Sequence, residues 1–457
     1  MLGKFYERME KLLGEDYPLF CEAMERKAER GVRVNTRYLS AKSFSDSARF
    51  NLSPLSYAEY GFILEDELQI GNTPEHHSGM IYMQDPGALA TVCAAEIPKG
   101  AWVADLCAAP GGKSSQISAL IGDEGFLLSN EFVPKRAHIL VSNFERLGVR
   151  NAMVSSLDTA EIARLFSGVF DFVLVDAPCS GEGMLRKYDA ASEEWSEENV
   201  LASAKRQREI LDNAKALVKS GGYLIYSTCT YSEEENEGTV CDFLSKNPEF
   251  SLCEVTPEIK AITAPGILRE DRPCEIERAR RFYPHKARGE GQFLALLRRD
   301  GADAEGEILY KSQEKPIDKQ SLLAIESFFS ENLTDRPKGR LVKIGENPVL
   351  IPHGCPIMPR SVFMPGVLLG EIRQGVLHPS HHFVKTYGEL FKRRERLDMG
   401  DERLSAFIGG EVIEAKGCEG KGYVAVFFGE APLGLGKLSS GMIKNHYPKG
   451  LRTKNII

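Results

Sequence analysis

The chain has 457 residues, 42% of them hydrophobic, enough for several cores and, at about 150 residues per domain, for two to four domains. Its formal net charge of −8 excludes a uniformly basic nucleic-acid binder, so phosphate contacts must come from local patches. No apolar run approaches the roughly 18 residues of a membrane span, no apolar leader follows Met1, and the ten cysteines form no CxxC pair; a cytoplasmic protein with reduced thiols and no membrane partner is expected.

In chain order, residues 1–80 join an amphipathic helical start (Phe5, Met9, Leu12, Leu13) to an alternating run, Gly31 to Asn35, and read as a small α/β module. From 81 to 300, short apolar runs alternate with helical segments: Trp102 to Leu106, Gly125 to Ser129, Asn151 to Val154, Phe172 to Val175 and Tyr223 to Tyr226. That alternation predicts an α/β fold with a mostly parallel, doubly wound, Rossmann-like sheet. Residues 301–380 read as a linking domain, entered through a polar linker (300–319) and a helix from Lys319 to Phe329. Residues 381–457 are Gly-rich with strand-like runs such as Tyr423 to Phe428, a small β-rich domain. From Lys421 on, six Lys/Arg (421, 437, 444, 449, 452, 454) face one acid, Glu430, which suits either a phosphate-docking surface or a solvated basic face.

The first core strand runs into Asp105-Leu-Cys-Ala-Ala-Pro-Gly-Gly-Lys113, followed by a helix-compatible segment. Gly111 and Gly112 allow close backbone approach, and a helix start supplies free amides. The second strand ends at Glu131, where a nucleoside-binding α/β fold keeps its ribose-binding acid. The loop lacks GxxxxGK[ST] spacing, which favours a nucleoside without pyrophosphate, such as S-adenosylmethionine. Asp158 and Asp176 add carboxylates after the third and fourth strands, although either could be a helix N-cap.

Two cysteines stand at strand ends beside this loop: Cys179 in Asp176-Ala-Pro-Cys-Ser-Gly181, and Cys229 in Tyr226-Ser-Thr-Cys-Thr230. Ser232 and Glu235 have capping-box spacing, so a helix should begin a few residues past Cys229 and its positive end should favour a thiolate. Carbon 5 of a pyrimidine is a poor nucleophile until a group adds at carbon 6, which gives a methyltransferase a use for a thiolate. An Asn/Asp-Pro-Pro-aromatic tetrapeptide would instead mark exocyclic-amine chemistry, and here the chain has Asp-Ala-Pro-Cys.

Together with Arg281-Phe-Tyr-Pro-His285 and Gly289-Glu-Gly291, in order and spacing across about 80 to 300, these segments resemble the Sun-domain family of RNA cytosine-5 methyltransferases. The resemblance implies that Cys229 is the nucleophile and that Cys179 assists product release. It implies that Cys107, Ala108, Ala109, Pro110, Gly111, Gly112, Lys113, Glu131, Asp158 and Asp176 contact S-adenosylmethionine, with Asp176 also meeting the cytosine edge. No metal is implied; His378, His381 and His382 lack the Cys or carboxylate companions of a metal site. The lead-in Tyr82-Met-Gln-Asp-Pro86 departs from the usual Gln-Glu-Pro-Ser at Asp85 and Gly87. Gly370-Glu-Ile-Arg373 and His378-Pro-Ser-His-His382, with the β-rich end, resemble the RsmF-like branch, which acts on small-subunit ribosomal RNA and ends in a PUA-like RNA-binding domain. The expectation is a monomeric enzyme with an N-terminal RNA-binding module. A tRNA cytosine-5 methyltransferase and a non-catalytic RNA-binding ribosome-assembly factor are the alternatives.

Overall fold

The computed structural model describes residues 2–187, 195–270, 275–302, 305–351, 354–355 and 357–456. The five apolar runs of the core become parallel strands: β1 (Trp102–Asp105), β2 (Phe126–Asn130), β3 (Ala152–Ser155), β4 (Phe170–Asp176) and β5 (Val218–Thr228). Their order is 3-2-1-4-5, inside a ten-stranded sheet that antiparallel strands extend on both sides: Gln292–Arg299 beside β5 and Val362–Met364 beside β3. Helices cover both faces. That is why β2 is buried along its whole length and reads as a continuous apolar run rather than an alternating one. The order reverses between β1 and β4, so the loops leaving these two strands diverge and open a crevice at their carboxyl ends. β5 begins five residues before the Tyr223 expected from sequence, because a register shift between Val218 and Tyr223 carries the strand through Lys219-Ser-Gly-Gly222.

The N-terminal sheet is antiparallel, ordered Leu52–Leu55, Ala58–Leu64, Gly31–Val34, Ile81–Met83. The helix Leu2–Leu13 does not pack on it. Phe5 and Met9 instead join Phe20, Trp195, Val200, Tyr231 and Tyr283 in a cluster against the core. The sheet's own apolar face (Val32, Val34, Phe62, Ile81) is covered by the C-terminal five-stranded sheet through Leu397, Val424, Val426 and Leu433, so the two ends of the chain share one core.

The stretch expected as a free linker is pinned: Glu307–Ile308 pairs with Phe166–Ser167, and Lys315 bridges to Lys343. Polar composition hid this, since short edge pairings need backbone groups rather than apolar side chains. The helix beyond it runs Lys319–Asn332.

Where the C-terminal part meets the N-terminal module and the core, helix His381–Tyr387 buries ionisable groups. The Lys385 ammonium donates to the carbonyls of Ser78 and Pro432, with no carboxylate partner among the described residues, and burial and Arg146 hold it well below the usual lysine range. His382 Nε2 donates to the Val149 carbonyl at 3.0 Å, and His77 Nδ1 lies 3.2 Å from the Tyr447 hydroxyl. His76 Nδ1, His77 Nε2 and His381 Nδ1 are buried without a hydrogen-bond partner among the described residues. Burial pushes His76 and His381 down to about 3 and His77 and His382 down to about 4. Among the described residues no helix is long and apolar enough to cross a membrane.

Candidate active site

β1 ends at Asp105, and helix Gly112–Ile121 starts after a tight loop. Gly111 has φ +110°, and a Cβ there would stand 2.8 Å from the Leu140 side chain, so the turn requires glycine on both counts. Asp105 is buried; it accepts from the Ser114 hydroxyl at 2.6 Å and the Cys107 amide at 3.4 Å, and burial pushes it up to about 7. Burial also drives the Cys107 thiol well up, helped by the carboxylates of Asp105, Asp176 and Glu131.

Asp176, at the end of β4, accepts from Lys113 Nζ at 2.8 Å, from the Ser227 hydroxyl at 2.6 Å and from Gln292 Nε2 at 3.5 Å. A cavity of about 390 Å³ opens beside this group, lined by Asp105, Cys107 to Pro110, Gly112, Lys113 and Asp176, with Gln84, Asp85, Met184 and Lys187 opposite.

Of the sequence-predicted cofactor residues, Gly111, Glu131 and Asp158 do not line the cavity. Glu131 is buried, accepts from the Val133 amide at 3.0 Å and stands 3.5 Å from Arg136. Asp158 is exposed and caps helix Thr159–Ala163 through the Ala160 amide. The cavity suits S-adenosylmethionine: its volume is that of a nucleoside-sized ligand, its Ala108–Pro110 wall offers an apolar surface, and Asp105 and Asp176 place carboxylates for a cationic methyl donor.

The two cysteines meet. Cys179 Sγ and Cys229 Sγ are 3.2 Å apart, and neither is in a disulfide. Their loops are laced together by Gly183 N–H donating to the Cys229 carbonyl at 2.9 Å and by the Ser180 and Thr230 hydroxyls 2.9 Å apart. Glu182 accepts from the Thr230 hydroxyl and the Tyr231 amide, and Glu235 accepts from the Ser180 amide and hydroxyl and from Gln207 Nε2. The Cys179 thiol is pushed well up by its hydrogen bond with Cys229, by burial and by the charges of Cys229 and Glu235. Burial works against the Lys113 ammonium, but Asp176 and Cys229 outweigh it and raise it. The structure thus sets a cation beside Cys229 and a carboxylate beside Cys179.

The capping box expected after Cys229 does not form. The helix begins only at Glu237 with no side-chain cap, because Ser232 donates to Glu234 and Glu235 turns back to Ser180. Cys241 is disulfide-bonded, which corrects the expectation of reduced thiols throughout; scattered spacing argues against a disulfide framework but not against one bridge.

The remaining motifs brace the Cys229 loop. Arg281 donates to Glu237 at 2.6 Å and to the Tyr231 carbonyl at 2.8 Å, and any Cβ on Gly291 would lie 2.3 Å from the Tyr231 ring. Sequence reasoning assigned no role to Glu182, Gln207 or Gln292, since a lone Glu or Gln looks like a solvated side chain, and it offered Glu235 only as half of a capping box.

In the C-terminal sheet a groove of about 710 Å³ is lined by six cations between Lys392 and Lys416, Arg393 and Arg394 among them, and by two acids, Glu395 and Glu419. Arg396 pairs with Glu430, and Arg403 with Asp401 and Glu395. In the later basic run, Arg452 is occupied holding the Tyr447 carbonyl. His378 Nδ1 is 3.2 Å from the Tyr423 hydroxyl, and no metal-binding group of three or more residues occurs among the described residues.

Comparison with known proteins matches three family models: 16S rRNA methyltransferase RsmB/F over residues 93–298, the N-terminal domain of 16S rRNA methyltransferase RsmF over 2–86, and the methyltransferase RsmF PUA domain over 394–453. The chain is 32% identical to ribosomal RNA small subunit methyltransferase F of Vibrio vulnificus (strain YJ016), over 97% of this chain and 94% of that one. It is 30% identical to the protein of the same name from Klebsiella pneumoniae (strain 342), over 94% and 92%. Among solved structures, a methyltransferase homologue from Pyrococcus horikoshii superposes with a TM-score of 0.56 at 29% identity, covering 64% of this chain and 93% of that one. NSun6 from the same organism, solved with SFG, superposes with a TM-score of 0.55 at 21% identity, covering 65% and 98%, and shares the fold.

Proposed function

Because this chain belongs to the family of ribosomal RNA small subunit methyltransferase F, we propose that it methylates carbon 5 of one cytosine in 16S ribosomal RNA, with Cys229 as covalent nucleophile. S-adenosylmethionine, held along Cys107–Lys113, supplies the methyl group. The observation that carries the cytosine assignment is the pair of thiols 3.2 Å apart, beside the Lys113–Asp176 pair at the mouth of the sheet. An amine methyltransferase has no use for two touching sulfurs there.

In this reading the Cys229 sulfur bonds carbon 6 and the carbon 5–carbon 6 π pair shifts onto carbon 5, delocalised through carbon 4 toward N3, which makes carbon 5 the nucleophile. Lys113 offsets the charge that gathers toward N3, while Asp176 takes a hydrogen bond from the base edge. Once carbon 5 is methylated, its proton leaves to a water or hydroxide, the C–H pair restores the double bond, and the carbon 6–sulfur bond breaks. Cys229 departs as a thiolate that accepts a hydrogen bond from the Cys179 S–H. The cytosine must be unpaired or flipped to reach this depth. The Cys107–Lys113 loop, Glu131 and Asp176 are proposed to hold the cofactor, Glu131 from behind the cavity wall and Asp158 at most from its rim.

The RNA meets the N-terminal module (1–80) and the basic groove of the C-terminal domain (381–457), which share one core next to the catalytic core (81–300), with residues 301–380 as the linking domain. We place the enzyme in the cytoplasm with its substrate.

The test incubates purified protein and S-adenosylmethionine with 16S transcript, small subunits or tRNA, followed by bisulfite sequencing. One new protected cytosine in 16S RNA is expected; methylation of tRNA alone would favour the tRNA enzyme, and no transfer to any of the three would favour the non-catalytic factor. Cys229→Ser should lower the rate by roughly a thousandfold or more and form no covalent adduct. Cys179→Ser should accumulate a protein–RNA adduct that survives denaturing electrophoresis.

A further inference from the structure

Two thiols in contact raise a question of charge: if they share one proton, something must decide which sulfur keeps it. Cys229 has Lys113 on its side. On the side of Cys179 stands Glu235, fully buried, six residues after Cys229 in the chain but turned back to the opposite loop. Its Oε2 accepts from the Ser180 amide at 3.0 Å and from Gln207 Nε2 at 2.8 Å, and its Oε1 accepts from the Ser180 hydroxyl at 2.5 Å. Ser180 follows Cys179 directly, so this carboxylate holds the backbone that carries the second sulfur. The Tyr226 hydroxyl donates to the Glu235 carbonyl at 2.6 Å, which fixes the other end of the tie. A carboxylate that only filled space would not meet three donors in a wholly buried site, since desolvating it costs more than most single contacts return.

We propose that Glu235 is the positioning residue of the cysteine pair: it fastens the Cys179 loop against the Cys229 loop and keeps the shared proton on Cys179, leaving Cys229 as the sulfur that attacks and departs. This rests on the cytosine-5 reading above. It also gives a physical reason for the division of labour between the thiols, which the family resemblance states but does not explain. The titratable groups around Glu235 are Glu182 and Cys179 from the loop after β4 and Tyr226 from β5, the last of which also feels Arg208 from helix Glu197–Ala214. Burial is the main influence and pushes Glu235 up to about 7, with Glu182 adding to it, so ionisation falls near neutral pH.

The variant E235Q tests the charge, because an amide retains the shape and can still accept from the Ser180 amide and Gln207 while donating to the Ser180 hydroxyl. Wild-type kcat should rise through about pH 7, whereas E235Q should be flat from pH 6 to 8 and about a hundredfold slower at pH 8. Its S-adenosylmethionine affinity should be unchanged. With ordinary 16S transcript, E235Q should accumulate a denaturation-resistant adduct, since attack needs Cys229 and release needs the S–H of Cys179.

A wild-type pH profile and rate in E235Q would overturn the proposal, as would loss of the adduct together with activity. If E235Q fails to bind S-adenosylmethionine, S180A, which removes one donor and leaves the charge, carries the test: it should slow release and keep the pH dependence, and wild-type behaviour there would overturn the tie. Trapping with 5-fluorocytosine RNA separates the two readings. Wild-type protein that fails to trap would sink the cytosine-5 mechanism itself, whereas a trapping wild type beside an E235Q of unaltered turnover would sink only Glu235.

Discussion

The cysteine edge of the core and the junction that fastens the C-terminal sheet to the N-terminal module both bury ionisable groups, but they meet the cost of burial in opposite ways. At the edge, acids remain and are surrounded by donors: Glu235 has three, Glu182 accepts from Trp195, Thr230 and Tyr231, and Asp176 has Lys113, Ser227 and Gln292. At the junction, rings remain neutral and several nitrogens go unpaired, while Lys385 leans on two carbonyls. A network of satisfied acids fixes distances, which the proposed two-thiol reaction needs. Neutral histidines among apolar side chains glue surfaces together and leave their stability open to protons.

The largest effect that would break this contrast is on stability against pH. The junction histidines have folded values of about 3 to 4 against an ordinary 6.5, so below 6.5 the unfolded chain binds protons that the folded chain refuses. Their contribution is intact above pH 6.5 and is lost as pH falls toward 4, at up to about 1.4 kcal/mol per pH unit for each histidine. Asp105 and Glu235, raised to about 7, have the opposite sign: between about pH 4.5 and 7 the folded state holds their protons and gains as pH falls. Among these six groups, four histidines against two acids leave a loss on the order of 3 kcal/mol per pH unit between pH 6.5 and 4.5. Urea unfolding at pH 7.5, 6 and 5 measures it. Stability that holds level across this range would show that the junction does not behave as described, and His381→Asn should flatten the slope by one proton.

Next in size is the cofactor side of the edge. Glu131→Ala should weaken S-adenosylmethionine binding by about ten- to a hundredfold in calorimetry, the value of a charge-assisted hydrogen bond to a ribose hydroxyl, and leave the junction's acid sensitivity alone. Unchanged affinity in a folded variant would confine Glu131 to its contacts with Val133 and Arg136.

The smallest effect concerns the surface that the junction holds in place. Arg393→Gln with Arg394→Gln should reduce RNA affinity a few-fold near 0.15 M salt and lower the salt-dependence slope by about 0.7 to 0.9 per cation, with cofactor binding unaffected. An unaltered slope would make the groove a solvated basic face.

The sequence reveals the core well because each parallel strand is buried on both faces, which writes it as an apolar run whatever surrounds it. The loops after β1, β4 and β5 are legible for a related reason: Gly111 in the first and the two cysteines in the others are unusual residues at strand ends, and Gly291, packed on Tyr231, leaves no room for a side chain. What was not legible depends on the partner chosen. Glu235 looks like half of a capping box until its carboxylate is seen on Ser180. Phe5 looks like part of an N-terminal module until it is seen 6.4 Å from the Tyr231 ring. The basic run after Lys421 counts charges but not their direction, and the cations that line a groove lie earlier, at 392 to 416. Removing residues 381–457 would therefore not isolate RNA docking, since it would also strip the cover from Val32, Val34 and Ile81.

That shared core also orders events in time. The face of the N-terminal sheet emerges from the ribosome early, yet the strands that cover it, Gly422–Phe428 and Ala431–Ser439, come nearly four hundred residues later. At about 5 to 20 residues per second the patch waits roughly 20 to 80 s for its lid. The helix carrying Phe5 waits in the same way for Tyr231 and Tyr283. A nascent chain of this protein therefore exposes apolar surface at its leading end for most of its synthesis, and its two ends pack together only when translation is nearly complete.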